Sequence, residues 1–394
     1  MISTLIGEYL RLVGEYPLVQ LATIALVSGY VYYQILVVRK AILHSKSGSE
    51  FTKALVAGMP ILRENYKPTF WCFESRMQTV FSSLLRRTLP DINYKREVLK
   101  LFDGGEVCLD WIEPVNDSND ASSPICLFLP GLTGHSQSEY IKSFVNVARK
   151  QLGGRCVVFN FRGRGGHALK TARTYCASNS EDLAAVIDHI KSSYPNAPLL
   201  ALGVSLGGII LGNYLAKEGE AVAEKLEAAM LVSVCFDTFR GTESLEKNGL
   251  NRMLNRHLAQ CLVDSIKEAK DHFAHSTLWD LDEVFSSTTI RDFDERFTCR
   301  QFGYADYREY YNAARIKGKI NQIKVPTLAL NAEDDVFSPG ETLPTDEAKQ
   351  SDHVAILTTK YGGHIGFMEG ALPTRFHFSD RVFEQFARNI FSKN

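Results

Sequence analysis

Apolar and polar positions along the C-terminal three quarters of the chain predict buried strands separated by amphipathic helices. Short, continuous apolar runs are typical of strands that are covered on both faces of a parallel sheet. Such runs occupy residues 106–111, 125–129, 155–159, 199–204, 229–234, 327–330 and 354–358. Stretches with helical spacing of apolar residues occupy 138–150, 180–193 and 208–217. This order predicts an α/β fold, a mostly parallel sheet with helices on both faces.

The regular alternation stops between residues 236 and 324. This interval contains a helix-like stretch at 252–273 and a tyrosine-rich stretch at 304–311. Long insertions between two strands of a compact domain are commonly functional. We therefore predict a helical cap over the functional site.

Residues 16–38 carry no charge and are followed by Arg39 and Lys40. About 20 apolar residues in a helix match the roughly 30 Å hydrocarbon core of a bilayer. The h-region of a cleaved signal peptide would be shorter, about 7 to 15 residues, and small residues would follow it. We predict an uncleaved single-pass anchor, with a signal peptide and a buried core helix as the alternatives.

The membrane orientation of this segment stays open. Arg39, Lys40 and Lys46 follow the segment, a bias that would keep the large C-terminal part in the cytosol. A glycosylation sequon beginning at Asn116 would favour a luminal location. The organelle is also open, with the endoplasmic reticulum as one candidate.

These patterns divide the chain into four predicted segments. They are a tail at 1–15, the anchor at 16–38, a membrane-proximal linker at 39–100 and the main domain at 101–394. The linker mixes apolar with basic residues. It either lies near the membrane surface or packs on the domain with a solvated basic side.

Composition excludes several functional classes. The formal net charge of −1 gives no indication of nucleic-acid binding. The eight cysteines are scattered without a C-x-x-C pair, so we expect packing roles and no metal. Glycines at 163–166 lack the G-x-G-x-x-G spacing of dinucleotide sites, and we expect no cofactor.

Ser205 lies between the apolar run 199–204 and a helix-like run, flanked by Gly203 and Gly207. A serine on a sharp strand-to-helix turn requires small residues two positions to either side. The stretch is therefore interpreted as a nucleophile elbow. An ordinary glycine turn is the alternative.

A serine nucleophile requires a base and an acid that orients the base. His364 follows the last predicted strand in a glycine-rich loop, and Asp334 and Asp335 follow the strand before it. The order Ser, Asp, His is the order of α/β-hydrolases. We prefer Asp334 as the acid, because it comes early in the turn and Asp335 is expected to point away.

An oxyanion hole requires two backbone N–H groups, one after the nucleophile and one in an earlier loop. Leu206 is predicted to supply the first. Leu132 is predicted to supply the second, with Thr133 as its competitor. His135 in the same loop is expected to order the loop.

Two arginines and a histidine follow the strand at 155–159. Arg162 and Arg164 are candidates for contact with a phosphate head group, although arginines in such loops more often bind neighbouring acids. His167 is expected to be structural.

Five motifs together resemble the membrane-anchored abhydrolase-domain family of the α/β-hydrolase superfamily. They are LPGLTG at 129–134, NFRG at 160–163, GVSLGG at 203–208, NAEDD at 331–335 and GGHIGF at 362–367. The resemblance covers roughly residues 50–394. It is closest to branches one and three, the latter a phospholipase acting on phosphatidylcholines.

This resemblance implies that Ser205 is the nucleophile, Asp334 the acid and His364 the base. It also implies a single-pass anchor with a cytosolic N-terminus, which conflicts with the charge bias. The leading hypothesis is a membrane-bound hydrolase of phospholipid acyl esters. An acylglycerol lipase or alcohol acyltransferase with the same triad is the alternative, and a non-catalytic lipid-binding or receptor protein is the third. The expected partners are an acyl-ester lipid and the membrane, without nucleic acid.

Overall fold

A computed structural model of the protein describes most of the chain. The described residues are 5, 7–9, 11, 14, 16–115, 121–274, 276–373 and 376–392. The sequon at Asn116 lies outside these ranges.

A nine-stranded sheet forms the centre of the molecule. The strands in chain order are β1 (Arg39–Lys40), β2 (Ile42–His44), β3 (Asn65–Tyr66), β4 (Lys95–Lys100), β5 (Glu106–Ile112), β6 (Ile125–Leu129), β7 (Arg155–Asn160), β8 (Leu199–Val204), β9 (Ala228–Val232), β10 (Thr327–Ala332) and β11 (Val354–Thr359). Their order in the sheet is β2-β11-β10-β9-β8-β6-β7-β5-β4, and β1 pairs with β3 separately. The six strands from β11 to β7 are mutually parallel.

Helices cover both faces of this sheet. The α-helices are α1 (Pro17–Tyr32), α2 (Glu50–Gly58), α3 (Ser75–Arg86), α4 (Glu139–Gln151), α5 (Glu181–Ser193), α6 (Leu206–Glu218), α7 (Thr238–Leu245), α8 (Leu250–Glu268), α9 (Lys270–Phe273), α10 (Leu281–Phe285), α11 (Ile290–Phe293), α12 (Cys299–Phe302), α13 (Tyr307–Ala314), α14 (Thr345–Ala348) and α15 (Phe378–Phe391). Short 3₁₀ turns occupy Pro60–Arg63, Gly219–Glu224, Ile320–Gln322 and Gly340–Thr342, and π turns occupy Tyr33–Val37 and Asp294–Thr298.

All residues of the central strands are buried, as their continuous apolar runs predict. Along β6, Leu127 packs into the core on one face of the sheet and Phe128 packs into the core on the other. This division follows from the alternation of side chains along a strand. The sheet is therefore the middle of three layers.

The seven predicted strands are present, with ends that differ from the prediction by at most two residues. Four short strands at the N-terminal side, β1 to β4, were not predicted. β2 and β4 form the two edges of the nine-stranded sheet, so residues 39–100 are not simply a linker. In β4 the sequence KREVLK is largely polar, because an edge strand has exposed positions.

The N-terminal apolar segment forms a helix that extends from Pro17 to Val37. It is long and apolar enough to cross a membrane, and none of its most apolar 18-residue window is buried against the rest of the protein. An N-terminal signal sequence has the same properties. The helix is therefore a membrane anchor or a signal sequence.

The predicted insertion lies between β9 and β10 and consists mainly of helices α7 to α13. Part of it forms a separate apolar cluster around Val263, Phe273, Trp279 and Phe297. Because these helices pack around their own apolar cluster, their arrangement above the sheet is stabilised within the cap itself.

All eight cysteines lie in described parts of the chain and are free thiols. Six of them are buried, and burial raises the pKa of Cys126 to about 12. Such thiols stay protonated and pack as small apolar side chains.

Candidate active site

The turn between β8 and α6 places Ser205 in a strained backbone conformation. Its φ is 52° and its ψ is −118°, a combination that L-residues rarely adopt. A Cβ on Gly203 would lie 2.6 Å from Gly207 O, and a Cβ on Gly207 would lie 2.4 Å from Leu129 O. Only glycine fits at both positions. The turn thus has the strained backbone and the flanking glycines that the predicted nucleophile elbow requires.

The loop after β11 brings His364 to this serine. Nε2 of His364 lies 2.9 Å from Oγ of Ser205, a hydrogen-bond distance. Gly363 has a φ of 57°, and a Cβ there would lie 2.2 Å from the backbone oxygen of Ser75. The backbone N–H of His364 donates to Oγ1 of Thr79, 2.9 Å away. Helix α3 therefore holds the histidine loop in place.

The structure brings Asp335, and not Asp334, to the histidine. Oδ2 of Asp335 lies 2.8 Å from Nδ1 of His364, and Oδ1 accepts the backbone N–H of Phe337 at 2.8 Å. The ring of Phe337 stacks on the imidazole with centroids 4.1 Å apart. The prediction that Asp334 is the acid is therefore wrong, because Asp335 is the carboxylate that contacts the imidazole. The chain turns at the end of β10, where Asp335 N–H donates to Ala332 O, and this turn directs the second aspartate inward.

Asp334 has a different contact. Its Oδ1 accepts the backbone N–H of Gly363 at 2.9 Å. Within the described chain, Oδ2 is buried and has no hydrogen-bond partner. Burial, together with the negative charge of Asp335, raises the pKa of Asp334 to about 7. Asp334 therefore stabilises the backbone of the histidine loop and does not contact the imidazole.

Two backbone N–H groups near Ser205 are available to a ligand. Leu206 is the first residue of α6, where N–H groups have no partner within the helix. The N–H of Leu132 has no partner in the described part of the chain. A Cβ on Gly131 would lie only 3.3 Å from the Cβ of Ser205, so this loop closely approaches the serine. Both residues also line the cavity.

Two partly buried tyrosines fix the loop that carries Leu132. The N–H of Gly131 donates to Oη of Tyr140 at 2.9 Å, and the N–H of Thr133 donates to Oη of Tyr175 at 3.3 Å. Because the N–H of Thr133 is already bonded, Leu132 is the better candidate for the oxyanion hole. Neither tyrosine was singled out by sequence, since nothing local links them to the loop.

Ser205 and His364 open into a cavity of about 930 Å³ between the sheet and the cap. Its walls are largely apolar and include Leu254, Leu258 and Phe293 from the cap. A cavity of this size with mainly apolar walls suits a ligand with a long apolar part.

The remaining candidates have structural contacts. Arg162 is buried and binds the carboxylates of Asp103 and Asp182, both at 2.6 Å. Arg164 lines the cavity and donates to Oη of Tyr175 at 3.2 Å. The guanidinium of Arg162 is therefore already held by two carboxylates, and both arginines line the cavity.

Both nearby histidines also have partners of their own. Nε2 of His167 lies 2.8 Å from a carboxylate oxygen of Glu106. Nδ1 of His135 accepts the backbone N–H of Gln137 at 3.2 Å, so His135 orders its loop. Within the described chain, neither histidine has a hydrogen bond to Ser205.

Comparison with known proteins agrees with this geometry. Residues 124–371 match the family described as alpha/beta hydrolase fold. The chain is 44% identical to Phospholipase ABHD3 of Mus musculus, covering 86% of this chain and 82% of that protein. It is 36% identical to Protein abhd-3.2 of Caenorhabditis elegans, covering 88% and 90%. It is 32% identical to Putative esterase YheT of Escherichia coli K12, covering 75% and 85%.

Proposed function

Because the chain belongs to the alpha/beta hydrolase fold family, we propose that it is a membrane-anchored serine hydrolase that cleaves acyl esters of phospholipids. One observation carries the proposal: Ser205, His364 and Asp335 form a continuous hydrogen-bonded chain at the floor of an apolar cavity. The phospholipase name of a relative at 44% identity supports the substrate class.

The first half-reaction forms an acyl-enzyme. Oγ of Ser205 attacks the ester carbonyl while Nε2 of His364 takes its proton. Asp335 holds the imidazole and stabilises its positive charge. The N–H groups of Leu132 and Leu206 donate to the developing oxyanion. His364 then gives its proton to the departing alkoxide of the lysophospholipid, and the alcohol leaves the acyl-enzyme.

The second half-reaction releases the fatty acid. His364 takes a proton from the water that attacks the acyl-enzyme, and it returns this proton to Oγ of Ser205 as the fatty acid leaves. The apolar cavity accommodates the acyl chain during both steps.

The N-terminal helix is proposed as an uncleaved single-pass anchor. Its end is bonded to the folded domain, because Oη of Tyr33 donates to the backbone oxygen of Pro68 at 2.7 Å. The ring of Tyr32 also lies 6.4 Å from the ring of Phe73. A signal peptide that is removed would not need contacts of this kind. Anchoring keeps the site close to lipids that stay in the bilayer.

The test compares the full-length chain with its Ser205→Ala variant in phosphatidylcholine vesicles. We expect release of fatty acid and lysophospholipid by the wild type and none above background by the variant. A second arm adds a long-chain alcohol, so that transfer and hydrolysis are measured together. Equal release of fatty acid by the wild type and the variant would contradict the mechanism. If most of the acyl group is found as an ester of the added alcohol, the chain is an acyltransferase and not a hydrolase.

A further inference from the structure

Helix α3 has two functionally different sides. Its residues Ser75, Gln78, Ser82 and Arg86 are buried against the domain. Gln78 accepts the N–H of Met368, and Arg86 donates to the backbone oxygen of Ile365, so this side holds the histidine loop. The opposite side is exposed.

The exposed side of α3 is apolar. Met77, Val80 and Leu84 are 43% to 45% exposed and lie on one side of the helix at spacings of three and four residues. Trp71, just before the helix, is exposed as well, and its ring packs edge-on against Phe81 at 5.8 Å. An exposed row of large apolar side chains is unusual on a surface that faces only water.

A second helix extends this apolar surface. Leu250 and Met253, at the start of α8, are 52% and 67% exposed. The two helices are neighbours, because Nη1 of Arg76 lies 3.5 Å from Oδ1 of Asn251. Both helices also line the cavity, α3 through Thr79 and Ser83 and α8 through several residues that include Leu254.

Basic residues flank the apolar surface. Arg252 and Arg256 are exposed on α8, and neither has an ion pair within the described part of the chain. Free guanidinium groups beside exposed apolar side chains are typical of segments that lie in the interface of a phospholipid bilayer.

The surface is continuous with the proposed anchor. Phe73 lies between the ring of Tyr32 in α1 and the ring of Tyr361, and α3 begins two residues later. The contacts of α1 with this segment place the exposed side of α3 beside the end of a helix that is proposed to cross the bilayer.

We propose that Trp71, Met77, Val80, Leu84, Leu250 and Met253 form a docking surface that inserts into the acyl region of the bilayer, and that lipid passes from it into the cavity between α3 and α8. The proposal rests on the proposed function for the anchor and for the lipid substrate. On α3, Thr79 and Ser83 line the cavity, and the next residue after each, Val80 and Leu84, belongs to the docking surface. A lipid leaving the bilayer would therefore stay in apolar contact along its path.

Tryptophan fluorescence tests the docking surface without any turnover. Trp71 is 43% exposed, whereas the other two tryptophans, Trp111 and Trp279, are 8% and 7% exposed. The full-length chain is reconstituted in vesicles of phosphatidylcholine or of its 6,7-dibromo analogue, whose bromine atoms quench only in the acyl region. We expect strong quenching for the wild type and its loss in Trp71→Phe.

A matched substitution tests the contribution of the apolar row. Val80 and Val56 are both 45% exposed and both lie on helices. Val56 is on α2, whose Ala54 oxygen accepts from Asn389 near the end of α15, and no residue of α2 lines the cavity. Val80→Asp should weaken quenching and lower phosphatidylcholine hydrolysis about tenfold, because a charge replaces an apolar side chain that would lie in the bilayer. Val80→Asp should leave hydrolysis of a short water-soluble ester unchanged. Val56→Asp should change neither the quenching nor the hydrolysis of phosphatidylcholine or of the soluble ester.

Several outcomes would overturn the docking surface. Absence of quenching in the wild type, or equal quenching in Trp71→Phe, would show that this surface lies outside the acyl region and faces water or another protein. Equal effects of Val80→Asp and Val56→Asp would contradict the role of the apolar row. Failure of the hydrolase mechanism is distinguishable, because a chain that quenches normally and cleaves no ester would refute the catalysis and leave the docking surface intact.

Discussion

Asp335 Oδ2 lies 2.8 Å from Nδ1 of His364, whereas the adjacent Asp334 bonds only the backbone of the histidine loop. Two neighbouring carboxylates at the end of one strand thus have separate tasks. In the proposed mechanism, Asp335 stabilises the charge that His364 acquires when it takes the proton of Ser205. Asp334 fixes the backbone from which His364 projects.

Asp335→Asn should lower kcat for a soluble ester by about 10³- to 10⁴-fold, because the amide cannot stabilise the imidazolium and favours the wrong tautomer. Asp334→Asn should retain most of the activity, since its amide oxygen can still accept the N–H of Gly363. Steady-state kinetics of both variants, with thermal unfolding as the control for folding, provide the check. If Asp334→Asn lost more activity than Asp335→Asn, Asp334 and not Asp335 would be the acid that orients His364.

Asp334 should make stability depend on pH. Its pKa in the folded protein is about 7, above its ordinary value, so between about pH 4 and pH 7 the folded state binds more protons than the unfolded state. Stability from this group is fully present at low pH and is lost as pH rises towards 7. Relative to wild type, Asp334→Asn should therefore gain on the order of 2 kcal/mol in unfolding free energy between about pH 5 and pH 7.

Chemical denaturation of both chains at the two pH values measures this difference. Asp294 is another buried carboxyl, and burial raises its pKa to about 7. Because Asp294 is present in both chains, its contribution to the pH dependence of stability cancels in the difference between wild type and Asp334→Asn. A wild-type-minus-variant difference that does not change with pH would contradict the shifted pKa of Asp334.

Gly207→Ala should destabilise the fold by about 3 kcal/mol or more, because the new Cβ would lie 2.4 Å from the backbone oxygens of Leu129 and Pro130. Backbone atoms within a sheet cannot move aside as a flexible side chain can. Gly104→Ala is the control, since nothing lies within 4 Å of its Cβ position and only its φ of 78° opposes the change, at about 1 to 2 kcal/mol. Similar midpoints of thermal unfolding for the two variants would refute the steric account of the elbow.

Thr79→Val should reduce kcat by roughly tenfold with little change in KM, because the backbone N–H of His364 loses its acceptor and the imidazole is less well positioned. Thr79→Ser retains the hydroxyl group and should restore the rate. A purely structural role of Thr79 would lower the unfolding midpoint of Thr79→Val and leave its kcat equal to that of Thr79→Ser. Kinetics on a soluble ester separate these cases, since they do not depend on membrane contact.

The family resemblance and the α/β-hydrolase fold are confirmed, and the reason lies in the central strands. Runs such as 125–129 and 199–204 are buried on both faces, so burial alone makes them continuous and apolar. The positions of Ser205 and His364 could also be predicted, because backbone strain at the elbow and in the histidine loop requires glycine nearby.

Other features left no local signal. The choice between Asp334 and Asp335 depends on how the chain turns after β10, and both residues suit a turn equally well. β2 has three residues, and β4 has the polar composition of an edge strand, so neither is visible as a strand in the sequence. Thr79 lies 285 positions before His364 in the chain, and only the folded structure brings them together.

The measurement that tests the central claim most directly is the mass of the full-length protein after reaction with a fluorophosphonate, followed by peptide mapping. We expect one adduct on Ser205 in the wild type, a much slower reaction in Asp335→Asn, and no adduct in Ser205→Ala, whose thermal unfolding should match that of the wild type. Undiminished labelling of Ser205→Ala, or an adduct on any other residue of the wild type, would contradict the assignment of Ser205 as the nucleophile.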